Sequence, residues 1–445
     1  MFNQRRAHTM IWAKEETLPR DEIEAIQYAK LKGTVRYIYD RVKPYRDKMD
    51  AAKVKPEDIR SLDDLKRLPF TYKADFRDNY PDGLFAVDKK EIVRYHASSG
   101  TTGKPTVVGY TRNDLDMWLN NVARIACMGG ASAEDVAQIS FGYGTFTGAL
   151  GLHGGLEKVG ASVIPMSSGN TNKQIMFLQD MGVTLLVATP SYALHLGEEI
   201  RNRGINPQKD LKLHIGLFGG EGMTEPMRDE MHKVWGGQFF CTQNYGMSEL
   251  CGPGVAGECS ELCGMHINED WFIPEVIDPE TEEVLPPGEL GELVVTCLGK
   301  EALPLVRYRT GDLTRLMYEP CKCGRTTCRM ENISGRADDM LVIRGVNVFP
   351  TQIEEVLLKI EEIGPHYEIL VERKNRLDVM TITVELIDDR LLDSYGKLSE
   401  LEARIKKALK AQLGLATQIR LVAPNSLKRF EGKAKRVTDL RKDGL

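Results

Sequence analysis

No apolar run in the sequence is long enough to cross a lipid bilayer. An excess of basic residues is also absent: the net charge is −5, whereas a protein whose main partner is nucleic acid usually presents a basic surface. Residues 1–22 contain no apolar core of the signal-peptide type, because charged side chains interrupt them. These absences predict a cytoplasmic protein that neither spans a membrane nor binds nucleic acid.

Two widespread motifs are missing as well. The sequence has no C-x-x-C pair and no G-x-x-x-x-G-K-[ST] phosphate loop. Nine cysteines in a cytoplasmic chain are not a disulfide framework, so we expect them to be reduced or to bind metal. The 445 residues are too many for one small core and predict two or three domains.

Residues 96–105 contain four hydroxyl side chains, two glycines and a lysine in the order HASSGTTGKP. The runs on either side, 92–96 and 106–110, are rich in β-branched and aromatic residues, which predicts a β-hairpin with a polar tip. Glycine lets backbone N–H groups approach an anion, while hydroxyls and lysine add donors and charge. From these residues alone, the tip is either a phosphate-binding loop or an ordinary surface loop.

Between about residue 112 and residue 250, helical stretches alternate with short apolar strands, as in a doubly wound α/β sheet. Strands are predicted at 136–140, 162–165, 184–188, 214–218 and 238–242. Helices between them include 113–128 and 171–181. In such sheets the ligand binds beyond the carboxyl ends of the strands.

Two glycine-containing segments follow neighbouring predicted strands. Residues 245–249 (YGMSE) offer a tyrosine that can stack on a flat ring and a carboxylate, Glu249, suited to Mg²⁺. Residues 219–221 (GGE) likewise combine glycine with a glutamate, at the end of a neighbouring predicted strand. Each segment could also be a plain turn with a solvated glutamate.

Residues 251–335 alternate strands with Pro/Gly turns and predict a small β subdomain. Within it, Asp312 follows a glycine in YRTGD and could accept hydrogen bonds from ribose hydroxyls, or could be a salt-bridged turn. Residues 336–445 predict a compact α+β domain. Its predicted strands are 367–371, 380–385 and 419–422, and its predicted helices are 351–360 and 399–413. The last helix would open with a capping box of Ser399 and Glu402.

The chain ends in a basic segment that is either a solvated tail or a flexible loop carrying Lys433 to a phosphate. Five segments in this order, SSGTTGKP, YGMSE, YRTGD, GRADDM and the late GK, resemble the adenylate-forming acyl/aryl-CoA ligase superfamily. The modest length, residues 341–355 (LVIRGVNVFPTQIEE) and residues 431–433 (EGK) resemble the phenylacetate–CoA ligase family in particular. The resemblance spans residues 98–433.

The resemblance implies a large N-terminal adenylation domain, 1–335, with a doubly wound sheet and the β subdomain, and a smaller mobile C-terminal domain, 336–445. It implies an ATP- and Mg²⁺-dependent ligase. The carboxylate of an aromatic acid would attack the α-phosphate of ATP and release pyrophosphate. The CoA thiol would then attack the acyl-adenylate and release AMP. A homodimer is compatible with the family.

The resemblance also implies roles for individual residues. Those implied to bind the β- and γ-phosphates are Ser98, Ser99, Gly100, Thr101, Thr102, Gly103 and Lys104. Those implied to surround the adenine are Gly219, Gly220, Glu221 and Tyr245, and those implied to bind ATP without a more specific role are Gly246, Met247 and Ser248. Asp312 would bind the ribose with Arg336 nearby, and Glu249 would bind Mg²⁺. The implied catalytic residues are Lys433, Glu249 and Thr101.

Lys433 would bridge the carboxylate and the α-phosphate, where a fixed cation offsets the repulsion between two anions. Asp338 would be the pivot between an adenylating and a thioester-forming arrangement of the domains. The residues implied to line the CoA tunnel are Arg344, Gly345, Val346 and Asn347. Those predicted for the acyl pocket, unless they simply pack in the core, are Phe141, Tyr143 and Phe146.

Six of the nine cysteines, with one histidine, fall in two short turn-rich segments. A tetrahedral set of thiolates and imidazole favours zinc. The preferred ligand set is Cys259, His266, Cys321 and Cys323, with Cys251, Cys263 and Cys328 as substitutes. The site would be structural, and the alternative is a group of free reduced thiols.

Two other functions remain open. The first is an adenylyltransferase that stops after nucleotide transfer, similar to the deazaflavin-coenzyme adenylyltransferases of methanogens. The second is a ligand-binding relative without catalysis, against which the presence of Glu249, Asp312 and Lys433 argues. The sequence does not name the acid.

Overall fold

The computed structural model describes residues 10–98, 104–336, 340–344, 346–374, 377–430 and 434–441, except for the side chains of Asn347 and Asp393. Several predicted site residues lie outside the described residues, namely Ser99, Gly100, Thr101, Thr102, Gly103, Asp338, Gly345 and Lys433. Their predicted roles therefore stay predictions.

The described chain alternates helices and strands along most of its length. The α-helices, labelled α1 to α11 in chain order, are Arg20–Arg41, Lys43–Ala51, Lys73–Asp78, Arg112–Met128, Thr147–Val159, Thr171–Asp180, Pro190–Asn202, Pro207–Asp210, Glu225–Trp235, Pro350–Leu357 and Tyr395–Leu413. Short 3₁₀ helices are Lys14–Thr17, Pro56–Asp58, Leu62–Arg67, Lys89–Glu91 and Asp389–Asp393. The strands, labelled β1 to β21, are Arg94–Ala97, Val107–Tyr110, Val136–Ile139, Ser162–Ile164, Leu185–Ala188, Ile215–Gly219, Phe240–Tyr245, Ala256–Glu258, Met265–Ile267, Phe272–Ile277, Gly291–Cys297, Tyr308–Thr314, Leu316–Met317, Arg329–Met330, Gly335–Arg336, Leu341–Ile343, Val346–Val348, Ile363–Lys374, Leu377–Leu386, Gln418–Val422 and Val437–Asp439.

A nine-stranded sheet forms the centre of the large domain, in the order β13-β14-β9-β8-β7-β6-β5-β3-β4. Strands β4, β3, β5, β6 and β7 are parallel, and the chain crosses over between them through helices. The remaining strands join the β7 edge in antiparallel pairs. The predicted doubly wound α/β sheet is therefore confirmed.

The central strands bury both faces. In β5, Leu185 and Val187 pack in one hydrophobic core, whereas Leu186 and Ala188 pack in a second core on the other face. This alternation follows from the two-residue period of a strand and explains why the run is apolar throughout. Helices must therefore cover both faces of the sheet.

Threonines begin three of the helices around this sheet. The Oγ1 atoms of Thr111, Thr189 and Thr224 accept hydrogen bonds from the first turns of α4, α7 and α9. At α4, the backbone N–H of Thr111 in turn donates to Asp114 Oδ2, which completes a capping box. Within the described ranges, no helix combines the length and apolar content that a membrane span needs.

The region predicted as a small β subdomain divides between two sheets. Strands β8, β9, β13 and β14 extend the nine-stranded sheet, because β8 pairs with the end of β7. A separate antiparallel sheet contains β10, β11, β12 and β15. It carries the YRTGD segment on β12.

Residues from 341 onward have a core of their own. A sheet ordered β20-β19-β18-β21 packs against α10 and α11. The predicted start of the last helix is wrong: α11 begins at Tyr395, with Ser394 in the N-cap position, rather than after Ser399. A serine three residues before a glutamate marks a helix start only if no helical residues precede it, and here residues 395–398 already belong to the helix.

Candidate nucleotide and acyl site

The predicted nucleotide residues lie at the carboxyl edge of the parallel strands. Gly219 ends β6 and Tyr245 ends β7. Phe141 follows β3 and approaches Gly220, since a Cβ atom placed on Gly220 would lie 3.7 Å from the Phe141 ring. Gly220 has a φ of +78°, a conformation that disfavours any side chain. The sheet thus brings the predicted adenine and acyl segments together.

Tyr245, Asp312 and Arg336 form a hydrogen-bonded group. The Tyr245 hydroxyl donates to Asp312 Oδ2 over 2.6 Å, and Arg336 donates to Oδ1 over 2.8 Å. Asp312 and Arg336 are also register partners on β12 and β15. Burial and the neighbouring Asp312 carboxylate raise the pKa of Tyr245 well above its usual value, so the phenol keeps the proton that it donates. The carboxylate is therefore held in a fixed orientation.

Glu249 lies in a buried turn directly after β7. Its side chain is 3% exposed, and its charge adds to the burial effect that raises the pKa of Tyr308. Lys300 Nζ donates to the carbonyl oxygens of Glu249 and Leu250 over 3.2 and 2.7 Å. A buried lysine thus supports the backbone of the predicted Mg²⁺ ligand.

Gly246 permits the tight path of the same turn. A Cβ atom placed there would lie 2.7 Å from the carbonyl oxygen of Cys251 and 2.8 Å from the Cα of Gly252. Backbone atoms cannot move aside as a flexible side chain can. Ser248 is buried behind the turn, where its Oγ lies 3.2 Å from Thr147 Oγ1.

The two strands at the base of the predicted hairpin are present. Strands β1 and β2 pair from Arg94 with Tyr110 to Ala97 with Val107. The Ser98 N–H donates to the Thr106 carbonyl over 3.0 Å and extends the pairing toward the tip. Lys104 is exposed, with its Nζ 4.9 Å from the centroid of the Tyr80 ring.

The three predicted acyl-pocket aromatics lie near one another at the end of β3. The rings of Phe141 and Phe146 are 6.4 Å apart. Phe141 is buried, whereas Phe146 is 43% exposed. The Tyr143 hydroxyl lies 2.9 Å from His153 Nδ1, which gives this cluster one polar pair.

The C-terminal domain contacts this edge of the sheet. The backbone N–H of Ala434 donates to Glu221 Oε1. His366 Nε2 lies 3.1 Å from Glu198 Oε2 on α7. Ala434 directly follows Lys433 in the sequence, and Lys433 itself lies outside the described residues.

The residues predicted for the CoA tunnel belong to a hairpin of the small domain. Strands β16 and β17 pair with Ile343 opposite Val346. Arg344 occupies the turn between them with a φ of +52°, and its Nε donates to the Asp378 carbonyl over 2.8 Å. In this arrangement Arg344 therefore contacts the sheet of its own domain.

The four residues of the preferred zinc set, Cys259, His266, Cys321 and Cys323, lie close together. One ligand atom from each lies within 4.8 Å of the others, and all four residues are buried. Hydrogen bonds from Cys259 and Cys321 hold the pKa of Cys323 well below its usual range. Among the substitutes, Cys263 lies 3.8 Å from Cys321, whereas Cys251 and Cys328 are outside this four-residue group.

Known proteins resemble the chain over nearly its whole length. The sequence model described as "AMP-binding enzyme" matches residues 1–297, and that described as "AMP-binding enzyme C-terminal domain" matches residues 345–441. A phenylacetate–coenzyme A ligase of Thermus thermophilus is 48% identical over 441 residues, covering 96% of this chain and 98% of that protein. One of Escherichia coli is 47% identical over 427 residues, covering 96% and 97%. The chain belongs to the phenylacetate–CoA ligase family of AMP-binding enzymes. The family predicted from the motifs is confirmed.

Solved structures resemble this phenylacetate–CoA ligase family member to different degrees. A 2-hydroxyisobutyryl-CoA ligase in the postadenylation state with an adenylate bound gives a TM-score of 0.90 at 28% identity, covering 97% of this chain and 92% of that one. The same ligase with adenylate and CoA in the thioesterification state gives 0.70 at 28% identity, covering 96% and 93%.

Sequence reasoning missed two residues that support the site of this family member. Lys300 follows a glycine in a segment without any motif, so nothing marked it as buried beneath Glu249. Ser191 lies just after the strand predicted at 184–188, and its hydroxyl donates to Glu221 Oε2 over 2.6 Å. The Thr-Pro-Ser sequence, typical of a helix start, was the one available signal.

Proposed function

We propose that the chain is an AMP-forming acid–CoA ligase that acts on phenylacetate or a closely related aryl acid. The observation that carries the proposal is the near-full-length identity of 48% and 47% with proteins named phenylacetate–coenzyme A ligase. The meeting of Gly220, Phe141 and the Tyr245–Asp312 pair at one sheet edge supports it.

In the proposed first step, the carboxylate oxygen of the acid attacks the α-phosphorus of ATP and pyrophosphate leaves. In the second step, the CoA sulfur attacks the acyl carbonyl and AMP leaves. Asp312 is placed to accept hydrogen bonds from the ribose hydroxyls, because Tyr245 and Arg336 fix its orientation. Glu249 would supply an oxygen ligand for Mg²⁺, and the ion would offset phosphate charge.

We propose that the described arrangement of the two domains corresponds to the adenylating one. The higher TM-score with the postadenylation ligase than with its thioesterification form, 0.90 against 0.70, supports this assignment. The domain boundary would fall at 335/336, and the separate hydrophobic core after residue 341 supports that division. The small domain would turn about Asp338 between the two steps.

An acid panel tests the activity. Purified protein is incubated with ATP, Mg²⁺ and one acid at a time, with and without CoA, and AMP release is measured. Phenylacetate should give CoA-dependent AMP release and a CoA thioester. Nucleotide transfer that proceeds equally without CoA would instead indicate an adenylyltransferase, and no acid-dependent release at all would refute the ligase.

We propose a structural zinc ion held by Cys259, His266, Cys321 and Cys323. The donor set fits zinc, since it consists of three thiols and one imidazole with ligand atoms within 4.8 Å of one another. His266 Nδ1 lies 3.0 Å from Thr327 Oγ1, the kind of outer contact that orients a ligand histidine. The ion would join the loop after β8 to the loop before β14.

Metal analysis of the purified protein tests the zinc site. We expect about one zinc per chain in the unchanged protein, strongly reduced content in Cys323→Ser, and retained zinc in Cys263→Ser. Loss of zinc in Cys263→Ser would indicate that Cys263 is a ligand in place of Cys259 or Cys321. An unchanged protein without zinc would refute the site.

We further propose a cytoplasmic enzyme that forms a homodimer and binds neither nucleic acid nor membrane. The net charge of −5 supports the part concerning nucleic acid. Light scattering coupled to gel filtration measures the mass directly. A mass corresponding to one chain of 49.9 kDa would refute the dimer.

A further inference from the structure

Glu221 is held by the first turn of helix α7. The Ser191 N–H and hydroxyl donate to its Oε2 over 3.2 and 2.6 Å. Because the first turn of a helix carries partial positive charge, an anionic carboxylate is favoured there. Gly220, which precedes Glu221 with a positive φ, turns the chain sharply at the end of β6. The carboxylate is therefore fixed by two donors of its own domain.

The other oxygen of this carboxylate bonds to the small domain. Oε1 accepts the backbone N–H of Ala434. We call the three residues Ser191, Glu221 and Ala434 the clasp. A hydrogen bond to a carboxylate is stronger than one between neutral groups, and this one joins residues 213 positions apart in the sequence.

Contacts within the small domain hold Arg436, which lies two residues after Ala434. Arg436 forms an ion pair with Glu354, and its guanidinium lies 4.4 Å from the centroid of the Tyr367 ring. The Arg436 carbonyl accepts the Ile369 N–H over 2.7 Å. Ala434 thus belongs to a segment anchored in the small domain, and the clasp ties that segment to the large one.

We propose that Glu221, oriented by Ser191, is a positioning residue for adenylation that acts through the segment carrying Lys433. This inference rests on the proposed ligase function and replaces the adenine contact implied for Glu221, because the clasp engages both oxygens of its carboxylate. The clasp spans two domains, so it exists only in an arrangement that keeps Ala434 beside the GGE motif. It should support adenylation and contribute nothing once the small domain has turned.

Separate half-reactions test the clasp. Adenylation is measured as phenylacetate-dependent exchange of pyrophosphate into ATP, and thioester formation as AMP release from supplied phenylacetyl-adenylate plus CoA. In Glu221→Ala, we expect the adenylation kcat to fall about 10- to 100-fold, the loss typical of removing a hydrogen bond to a charged acceptor. The KM for ATP and the thioester half-reaction should stay unchanged.

Three further variants separate a specific loss of the clasp from misfolding and unspecific effects. Ser191→Ala keeps the backbone donor and should lower adenylation by about 3- to 10-fold. Glu198→Gln weakens the contact with His366 at the same domain interface without touching the Ala434 segment, and should change adenylation by less than about threefold. Glu221→Gln retains the side-chain shape and an acceptor oxygen, and should fall between Glu221→Ala and the unchanged enzyme.

Three results would overturn the clasp: equal loss in both half-reactions, a raised KM for ATP at unchanged kcat, or normal adenylation in Glu221→Ala. The first would indicate general damage, and the second would indicate that the side chain serves the nucleotide itself. Failure of the proposed ligase function would be recognised separately, because the unchanged protein would then exchange no pyrophosphate with any acid. In that case the clasp proposal would fall together with the ligase function.

Discussion

The hydroxyl of Tyr245 donates a hydrogen bond of 2.6 Å to Oδ2 of Asp312. Both residues are buried, at 9% and 5% exposure. The bond joins the end of β7 in the nine-stranded sheet to β12 in the separate four-stranded sheet. The bond therefore links two motifs that are distant in the sequence at the predicted nucleotide side of the site.

We expect Tyr245→Phe to raise the KM for ATP by about 5- to 10-fold, because Asp312 loses a donor that orients it toward the ribose. Effects on kcat should be smaller. Initial-rate kinetics with varied ATP measure both constants. Tyr72→Phe is the matched control, since its hydroxyl bonds to Glu282 on the surface. An unchanged KM in Tyr245→Phe would contradict the assigned role of the pair.

Lys433→Ala should lower adenylation by about 100- to 1,000-fold, the effect of removing one group that stabilises developing charge in the transition state. Thioester formation from supplied adenylate should be largely spared, because that step attacks the neutral acyl carbonyl rather than the charged α-phosphate. The same two half-reaction assays measure this split. Lys435→Ala, an exposed neighbour, is the control. Near-normal adenylation in Lys433→Ala would show that the lysine has been assigned wrongly.

The sequence predicted for a physical reason that the GGE and YGMSE segments lie close together. Parallel strands end at one edge of a sheet, so GGE after β6 and YGMSE after β7 had to lie side by side. The four residues of the predicted zinc set also lie close together in the structure. Thiol and imidazole side chains that are grouped in turn-rich segments form the donor set that zinc prefers, which is why the sequence could indicate them as one group.

Contacts between distant elements could not be predicted in the same way. The bond from Ala434 to Glu221 depends on how the domains dock, which no local pattern encodes. The extension of the large sheet by β8 and β9 depends on pairing at the end of β7, and the sequence showed only strands and turns there. Lys300 resembled any surface lysine, because burial of a single charge leaves no periodic signal.

Lys300→Met should destabilise the protein and weaken Mg²⁺ use together. The carbonyls of Glu249 and Leu250 would lose a buried donor, which costs about 1–3 kcal/mol in the free energy of unfolding. Movement of the Glu249 backbone should raise the Mg²⁺ concentration needed for half-maximal adenylation. Urea unfolding and Mg²⁺ titrations measure the two effects.

Lys233→Met is the control for Lys300→Met, because Lys233 is a mostly exposed helix residue paired with Glu230. Its free energy of unfolding should change by less than about 0.5 kcal/mol. If Lys300→Met were as stable as the unchanged protein and had the same Mg²⁺ dependence, the proposed support of Glu249 would be refuted.

His96 makes the stability of the protein depend on pH. It is buried and makes T-shaped ring contacts with Tyr110 and Trp118, and its Nδ1 lies 3.0 Å from the Thr145 carbonyl. Burial lowers its pKa, so the folded protein holds it neutral while the unfolded chain takes up a proton below about pH 6.5. Since the unfolded state then binds more protons, stability is present above that pH and is lost as the pH falls through it.

We expect His96→Gln to reduce this loss by about 1 kcal/mol between pH 7.5 and pH 5.5. The free energy of unfolding from urea titrations at both pH values gives the difference for each variant. His214→Gln is the control, because its Nδ1 bonds the Lys212 carbonyl at a partly exposed position. That variant should lose as much stability on acidification as the unchanged protein. A His96→Gln protein with the full acid-dependent loss would mean that other groups cause it, and that His96 titrates alike in the folded and unfolded states.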